Sequence, residues 1–178
     1  MQHDLDWFDG RLGEAWAGDV PNGSHVNLAI GRRGSPTAAS IVGLAGAATP
    51  GHLPLYVCHG GAGNLVRPVT VFRNKVTVDD LDGHLARLTW GAAQLGVGQG
   101  VLDAMADGLL PAEAVDELIL LAVVWVAPEG DDETAVRLAN REAMRASIAD
   151  AVADSHADQL ARMQQIRETG RNAFYAGD

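Results

Sequence analysis

Cysteine is almost missing: Cys58 is the only one in 178 residues, so the chain can form no internal disulfide. That suits a reducing compartment. Aromatic residues make up 5%, which leaves the core to Ala, Val, Leu and Ile. Basic side chains are few, 13 Lys and Arg against 23 Asp and Glu, for a formal net charge of -10. Such a field repels phosphate backbones, and no nucleic-acid-binding signature is present, so no nucleic-acid partner is expected. The longest apolar run, Leu118 to Ala127, is shorter than the ~20 residues a bilayer span needs. The first residues show neither a basic start nor an apolar stretch of the secretory type. The expectation is a soluble, cytoplasmic protein without membrane contact.

The common catalytic motifs are missing too. There is no CxxC, HExxH, GxSxG or Walker loop. Six histidines are present, His3, His25, His52, His59, His84 and His156, but no two stand at metal-ligand spacing. No metal site is expected. Gly60-Gly61-Ala62-Gly63 lacks the following helix and lysine of a phosphate cradle, and reads as a turn.

What is present is a globular pattern, 47% apolar with 21 glycines. Residues 1–23 read as a mixed, glycine-punctuated lead-in packed by Trp7, Phe8 and Trp16. From His25 to Gly31, Val26, Leu28 and Ile30 alternate with His25, Asn27 and Ala29, the period of a half-buried strand. His25 and Asn27 therefore share the face opposite the apolar side chains. Ser35-Pro36 reads as a helix cap and first turn, with the helix running to about Ala47.

A short strand is expected from Leu53 to Cys58 and a longer one from Val66 to Val78. Helices follow from Asp79 or Asp80 to Thr89 and from Ala92 to Gly108. Leu118 to Ala127, apolar on both faces, reads as a central strand or else a buried helix. Acidic Asp131-Asp132-Glu133 opens the longest helix, to about Ser155 and at the outside Glu168. The order predicts a single α/β (α+β) domain over residues 1–170, a two-layer sandwich of sheet and helices, with 171–178 a loose tail. A doubly wound sheet has too few βα alternations in its favour.

Polar pairs mark two strands. His25 and Asn27 project from one, Lys75 and Thr77 from another. Side chains of this kind on neighbouring strands can line a cleft with an imidazole, an ammonium and a hydroxyl, or else simply face water.

The same segments carry a resemblance. His25-Val26-Asn27-Leu28-Ala29-Ile30-Gly31-Arg32-Arg33-Gly34-Ser35-Pro36, preceded by Gly18-Asp19, resembles the opening motif of the formaldehyde-activating enzymes. Asn74-Lys75-Val76-Thr77-Val78 and Gly91-Ala92-Ala93-Gln94-Leu95-Gly96-Val97 are similar to later motifs of that family, as is Asn140-Arg141-Glu142-Ala143. The likeness spans about residues 12–153 in the family's order.

The resemblance implies a ribosomal protein S5 domain 2-like fold and a homopentamer with active sites between subunits. It implies condensation of formaldehyde with tetrahydromethanopterin to the 5,10-methylene derivative, with the pterin as co-substrate, no permanently bound cofactor and no metal. By position His25 matches the family's catalytic acid. Lys75, Thr77 and Gln94 match residues that contact the pterin, and Leu55 or Tyr56 matches an apolar contact. An imidazole with a pKa near ~6.5 is well matched to protonate a leaving hydroxyl at neutral pH.

Asn27 stands where the family carries an aspartate, so a neutral amide replaces a carboxylate that would steer or stabilise a cation. The alternative expectation is thus a divergent member that binds another small ligand or condenses another carbonyl and amine.

Overall fold

The structure, a computed structural model, describes residues 4–60, 63–153 and 157–169. His3, His156, half of the Gly60–Gly63 turn and the tail beyond Gly170 lie outside the described residues.

The lead-in contains a strand, β1 (Leu12–Ala17), where none was expected. Its alternation is blurred because Gly13 and Ala15 occupy the inward positions. Gly13 is there for a reason: a Cβ on it would lie 2.1 Å from the Ser147 carbonyl oxygen of the helix packed above. β2 (Ser24–Arg32) forms as its alternation predicts, with Val26, Leu28 and Ile30 at 3% exposure or less. Gly34 turns the chain at φ +86°, a conformation that favours glycine. Ser35 then caps α1 (Pro36–Ala45), its Oγ accepting from the Ala38 N–H.

The middle of the chain is more broken than expected. β3 (Leu55–Tyr56), β4 (Cys58–His59) and β5 (Asn64–Leu65) are two-residue strands. The long strand expected over 66–78 is shorter, β6 (Val69–Asn74). It ends where buried Asn74 turns inward, its Nδ2 donating to the carbonyls of Val76 and Gly51 at 2.6 and 2.7 Å. Those two bonds bind the chain beyond the strand and replace ladder pairing.

Where two helices were expected there is one continuous run: α2 (His84–Ala86), a π-helical stretch (Arg87–Ala93) and α3 (Gln94–Ala106). Ala86, Ala93 and Gln94, at the junctions, all keep right-handed helical angles, so nothing interrupts it. The run ends near Gly108, at φ +73°, as anticipated. The short α4 (Ala114–Glu117) leads into β7 (Leu118–Val126), the expected central strand. α5 (Glu133–Ala151) is capped by Asp132, whose carboxylate accepts from the N–H groups of Thr134 and Ala135. It stops at Ala151, short of Ser155, and α6 (Ala157–Ile166) follows.

The main sheet has the order β1-β2-β7-β6-β3. β6 and β7 run parallel; the other neighbours are antiparallel. α3 and α5 pack on one face over a core of Val26, Leu28, Phe72, Leu120, Val97, Met144 and others. That much is the expected pairing of sheet and helices. α1 departs from it and sits on the opposite face, where Ile41 meets Val71 and Leu121. Gly31 permits this contact, since a Cβ there would lie 2.7 Å from the Ala38 nitrogen. One end of that second face, the end bearing His25, is left uncovered by α1. No helix among the described residues is long and apolar enough to cross a membrane.

Candidate active site

Strand register decides what surrounds His25. It pairs directly with Trp16 on β1 and with Trp125 on β7, so all three side chains rise from the same face. Two positions along, Asn27 pairs with Glu14 and Val123 in the same way. On β6, Asn74 pairs with Val124, and the Lys75 N–H donates to the Val124 carbonyl at 2.7 Å. The Lys75 side chain, just past the end of β6, thereby reaches across Trp125 toward β2.

The imidazole of His25 is held on three sides. Its ring stacks on Trp16, with centroids 4.4 Å apart and planes inclined by 16°. Lys75 Nζ lies 2.8 Å from Nδ1, and Glu14 Oε2 lies 2.5 Å from Nε2. An ammonium has no acceptor and a carboxylate no donor. Between these two partners, Nδ1 accepts from Lys75 and Nε2–H donates to Glu14. The His25 side chain is 14% exposed and that of Glu14 59%, so the row opens toward solvent at the β1 edge.

Burial lowers the pKa of Lys75 from the usual lysine range, and the negative charge of Glu14 opposes that shift in part. A lysine whose ammonium is less costly to deprotonate can exchange a proton with an imidazole in contact with it.

The start of β2 is pinned from below. Ser24 Oγ donates to Asn140 Oδ1 at 2.7 Å, while Asn140 Nδ2 donates to the Val136 carbonyl, and both side chains are fully buried. This bond ties the residue before His25 to α5 through the core.

The remaining expected residues are placed differently. Asn27 is exposed beside Glu14, two residues from His25 on the same face. Thr77 lies beyond the end of β6 and is exposed; its hydroxyl is 3.1 Å from Nε2 of His52, whose Nδ1 faces the Asn74 carbonyl at 3.0 Å. Lys75 and Thr77 thus point to different histidines, although a regular strand would have set them side by side.

Tyr56 lies on β3, opposite Val71, and is 42% exposed. Three strand spacings separate it from β2, roughly 14 Å, and its row is that of Ala29, about 13 Å along the strand from His25. Its alternative, Leu55, packs into the core on the other face. Gln94 opens α3, half-buried in the helical layer, and follows directly on the π-helical stretch. Inserted π turns commonly mark functional positions. Within one chain, then, His25, Lys75 and Asn27 come together, and Tyr56 and Gln94 stand apart from them.

Glu14, Trp16 and Trp125 were missed in the sequence as parts of a site. Only a strand assignment for residues 12–17, with its register against β2, would have found the first two. No group of three or more His, Cys, Asp or Glu side chains fit to hold a metal occurs among the described residues.

The sequence pattern of the formaldehyde-activating enzyme (Fae) family matches residues 12–171. Among curated proteins, the chain is 33% identical over 142 residues to a 5,6,7,8-tetrahydromethanopterin hydro-lyase of Methanosarcina barkeri, covering 79% of this chain and 78% of that protein. It is 33% identical over 139 residues to a bifunctional enzyme Fae/Hps of Archaeoglobus fulgidus, and 30% identical over 138 residues to one of Methanothrix thermoacetophila. The match covers 34% of each of these two longer proteins.

Proposed function

Since the chain belongs to the formaldehyde-activating enzyme family, we propose that it condenses formaldehyde with tetrahydromethanopterin, or a related reduced pterin, to the 5,10-methylene derivative and water. The observation that carries the reading is the contact between His25 and Lys75 on an open sheet face, with Nδ1 and Nζ 2.8 Å apart.

A pterin amine attacks formaldehyde to give a carbinolamine. Its hydroxyl leaves as water once protonated, with His25 as the general acid and Lys75 in contact to supply the proton. The second pterin nitrogen then closes the ring on the iminium carbon and gives up its proton to solvent. Much of the remaining acceleration comes from holding the two nitrogens and the carbon in reactive geometry. Asn27 and Thr77 offer polar contacts to the pterin, which comes and goes as a co-substrate.

Gln94 and Tyr56 support an assembly. If both contact the same pterin as His25, the ligand must sit where two copies meet, as in the ring-shaped homopentamer with a ribosomal protein S5 domain 2-like fold that the family implies. Leu95, Leu102 and Leu138, exposed apolar side chains on α3 and α5, are suited to burial in such contacts. The protein so pictured works in the cytoplasm.

A second reading has one observation in its favour. Asn27, neutral and exposed beside Glu14, suits a member of the family that condenses a different carbonyl and amine or binds another small ligand.

The deciding experiment measures methylene-tetrahydromethanopterin formation against the spontaneous background for the wild type and His25→Ala. Acceleration that disappears in the variant supports the first reading. Wild-type rates equal to background reject it in favour of the second.

A further inference from the structure

Nothing in the reaction just described uses Glu14, yet its carboxylate holds one of the two nitrogens of His25. Position alone explains how it comes to be there. Its backbone N–H donates to Asp150 of α5 at 3.0 Å, and the neighbouring Gly13 lets α5 lie directly against β1. β1 is therefore clamped to the helical layer, and alternation sends the Glu14 side chain to the other face. There the register sets it opposite Asn27 and two pairs away from His25, the nearest pair on the same face.

We propose that Glu14 is the positioning residue of His25. By accepting the Nε2–H it fixes one tautomer and one ring orientation, and leaves Nδ1 as the nitrogen that exchanges protons with Lys75 and with substrate. The inference rests on the reading of His25 as the acid, and extends it to which nitrogen acts and why. The logic is that of any acid or base oriented by a third group.

Lys75 Nζ–H passes its proton to Nδ1, giving an imidazolium whose Nε2–H remains on the Glu14 carboxylate and a neutral lysine amine. Nδ1–H then gives that proton to the carbinolamine hydroxyl. The C–O bond breaks with its electron pair on the departing water, and the lone pair of the amine nitrogen forms the C=N bond of the iminium. The imidazole returns to neutral, and the lysine amine is reprotonated from solvent. At the end the Glu14 carboxylate, never itself protonated, faces a newly formed cation. In this chain it is the carboxylate left on that row of the sheet, because its cross-strand partner Asn27 is an amide.

Trp16 completes the hold by stacking on the ring face, so that rotation about the Cβ–Cγ bond would have to break the stack as well as both hydrogen bonds. Of the other titratable groups along β6 and the segment after it, Arg73 directs its Nη1 to the Ala47 carbonyl and His52 is bonded to Thr77. Neither is among the hydrogen-bonding partners of His25.

The test pairs imidazole nitrogen NMR with kinetics on wild type, Glu14→Ala and Glu14→Asp. In the wild type near neutral pH the His25 signals should report a protonated Nε2 and an unprotonated Nδ1. In Glu14→Ala that preference should weaken toward the mixed tautomers of a free imidazole. The turnover number should fall roughly tenfold to a hundredfold, within the range of acid catalysis, with KM changed less than about threefold. Glu14→Asp should recover part of both. A Glu14→Ala protein with unchanged His25 signals or an unchanged turnover number overturns the proposal. A wild type with no acceleration rejects the pterin reaction, while the NMR comparison still decides whether Glu14 sets the tautomer.

Discussion

Lys75 and His25 are fifty positions apart in sequence and 2.8 Å apart in space, Nζ to Nδ1. The contact exists because the parallel pairing of β6 with β7 ends at Asn74, and the Lys75 N–H still donates to the Val124 carbonyl. The side chain crosses one strand to reach the imidazole. This places a partly desolvated ammonium against the His25 imidazole, and if His25 is the acid the pH behaviour of the protein should follow from it.

The first prediction concerns the alkaline limb of activity. Burial lowers the pKa of Lys75 and Glu14 holds it up in part. If the ammonium is the proton source, activity falls as pH rises through that lowered value, below the limb an ordinary lysine would give. Removing the opposing charge with Glu14→Gln should move the limb to still lower pH. A pH–rate profile for the two proteins checks this; coincident alkaline limbs would contradict it.

Stability should show the same shift with the opposite sense from a salt-bridged lysine. A depressed folded pKa means the unfolded chain binds more protons between the folded and unfolded values. The cost of burying the ammonium is fully present below the folded pKa and vanishes as pH rises through the unfolded one. Lys75→Met should therefore abolish the acceleration while leaving the thermal midpoint at pH 7 unchanged or raised. A clearly lowered midpoint would show that the lysine stabilises the fold.

Asn140 carries a third prediction. Its Oδ1 accepts from Ser24 and its Nδ2 donates to Val136, with no solvent access. Asn140→Ala leaves the Ser24 hydroxyl with one partner fewer and opens a cavity. The expected loss is about 1–3 kcal/mol, read by denaturant titration, together with a reduced turnover number because Ser24 precedes His25.

Gly31→Ala should act through α1. The added Cβ would lie 2.7 Å from the Ala38 nitrogen and 2.8 Å from its Cα, both backbone. Since backbone yields less readily than a side chain, overpacking of about 1–3 kcal/mol is expected. A denaturation midpoint equal to that of the wild type would mean that α1 can lift from the sheet freely.

Asn27→Asp sets a second carboxylate directly opposite Glu14. Like charges at opposed positions on neighbouring strands are unfavourable, by roughly 0.2–1 kcal/mol. The midpoint should fall slightly at pH 7 and recover in high salt, where the repulsion is screened.

Much of this architecture was legible in residue order. The alternation in 25–30 placed His25 and Asn27 on one face, Ser35-Pro36 marked the start of α1, and the doubly apolar run at 118–127 marked the central strand. These are local signals, set by the strand period, by capping chemistry and by burial on both faces. The motifs around His25, Lys75 and Gln94 likewise pointed to the family before any strand was paired.

What local signals could not supply is partnership. β1 was unreadable because its inward positions are Gly13 and Ala15, small for the sake of α5, and small residues carry no hydrophobic rhythm. Without β1 there is no Glu14 or Trp16 beside His25. The end of β6 depended on the side chain of Asn74 binding two carbonyls, which split Lys75 from Thr77. A strand period tells which face a residue takes, and the register between strands tells whom it meets there. Register comes from pairing and packing across the whole sheet. His25 could therefore be singled out from the chain as a candidate, whereas its two partners, Lys75 and Glu14, emerged only when β1, β2, β7 and β6 were laid side by side.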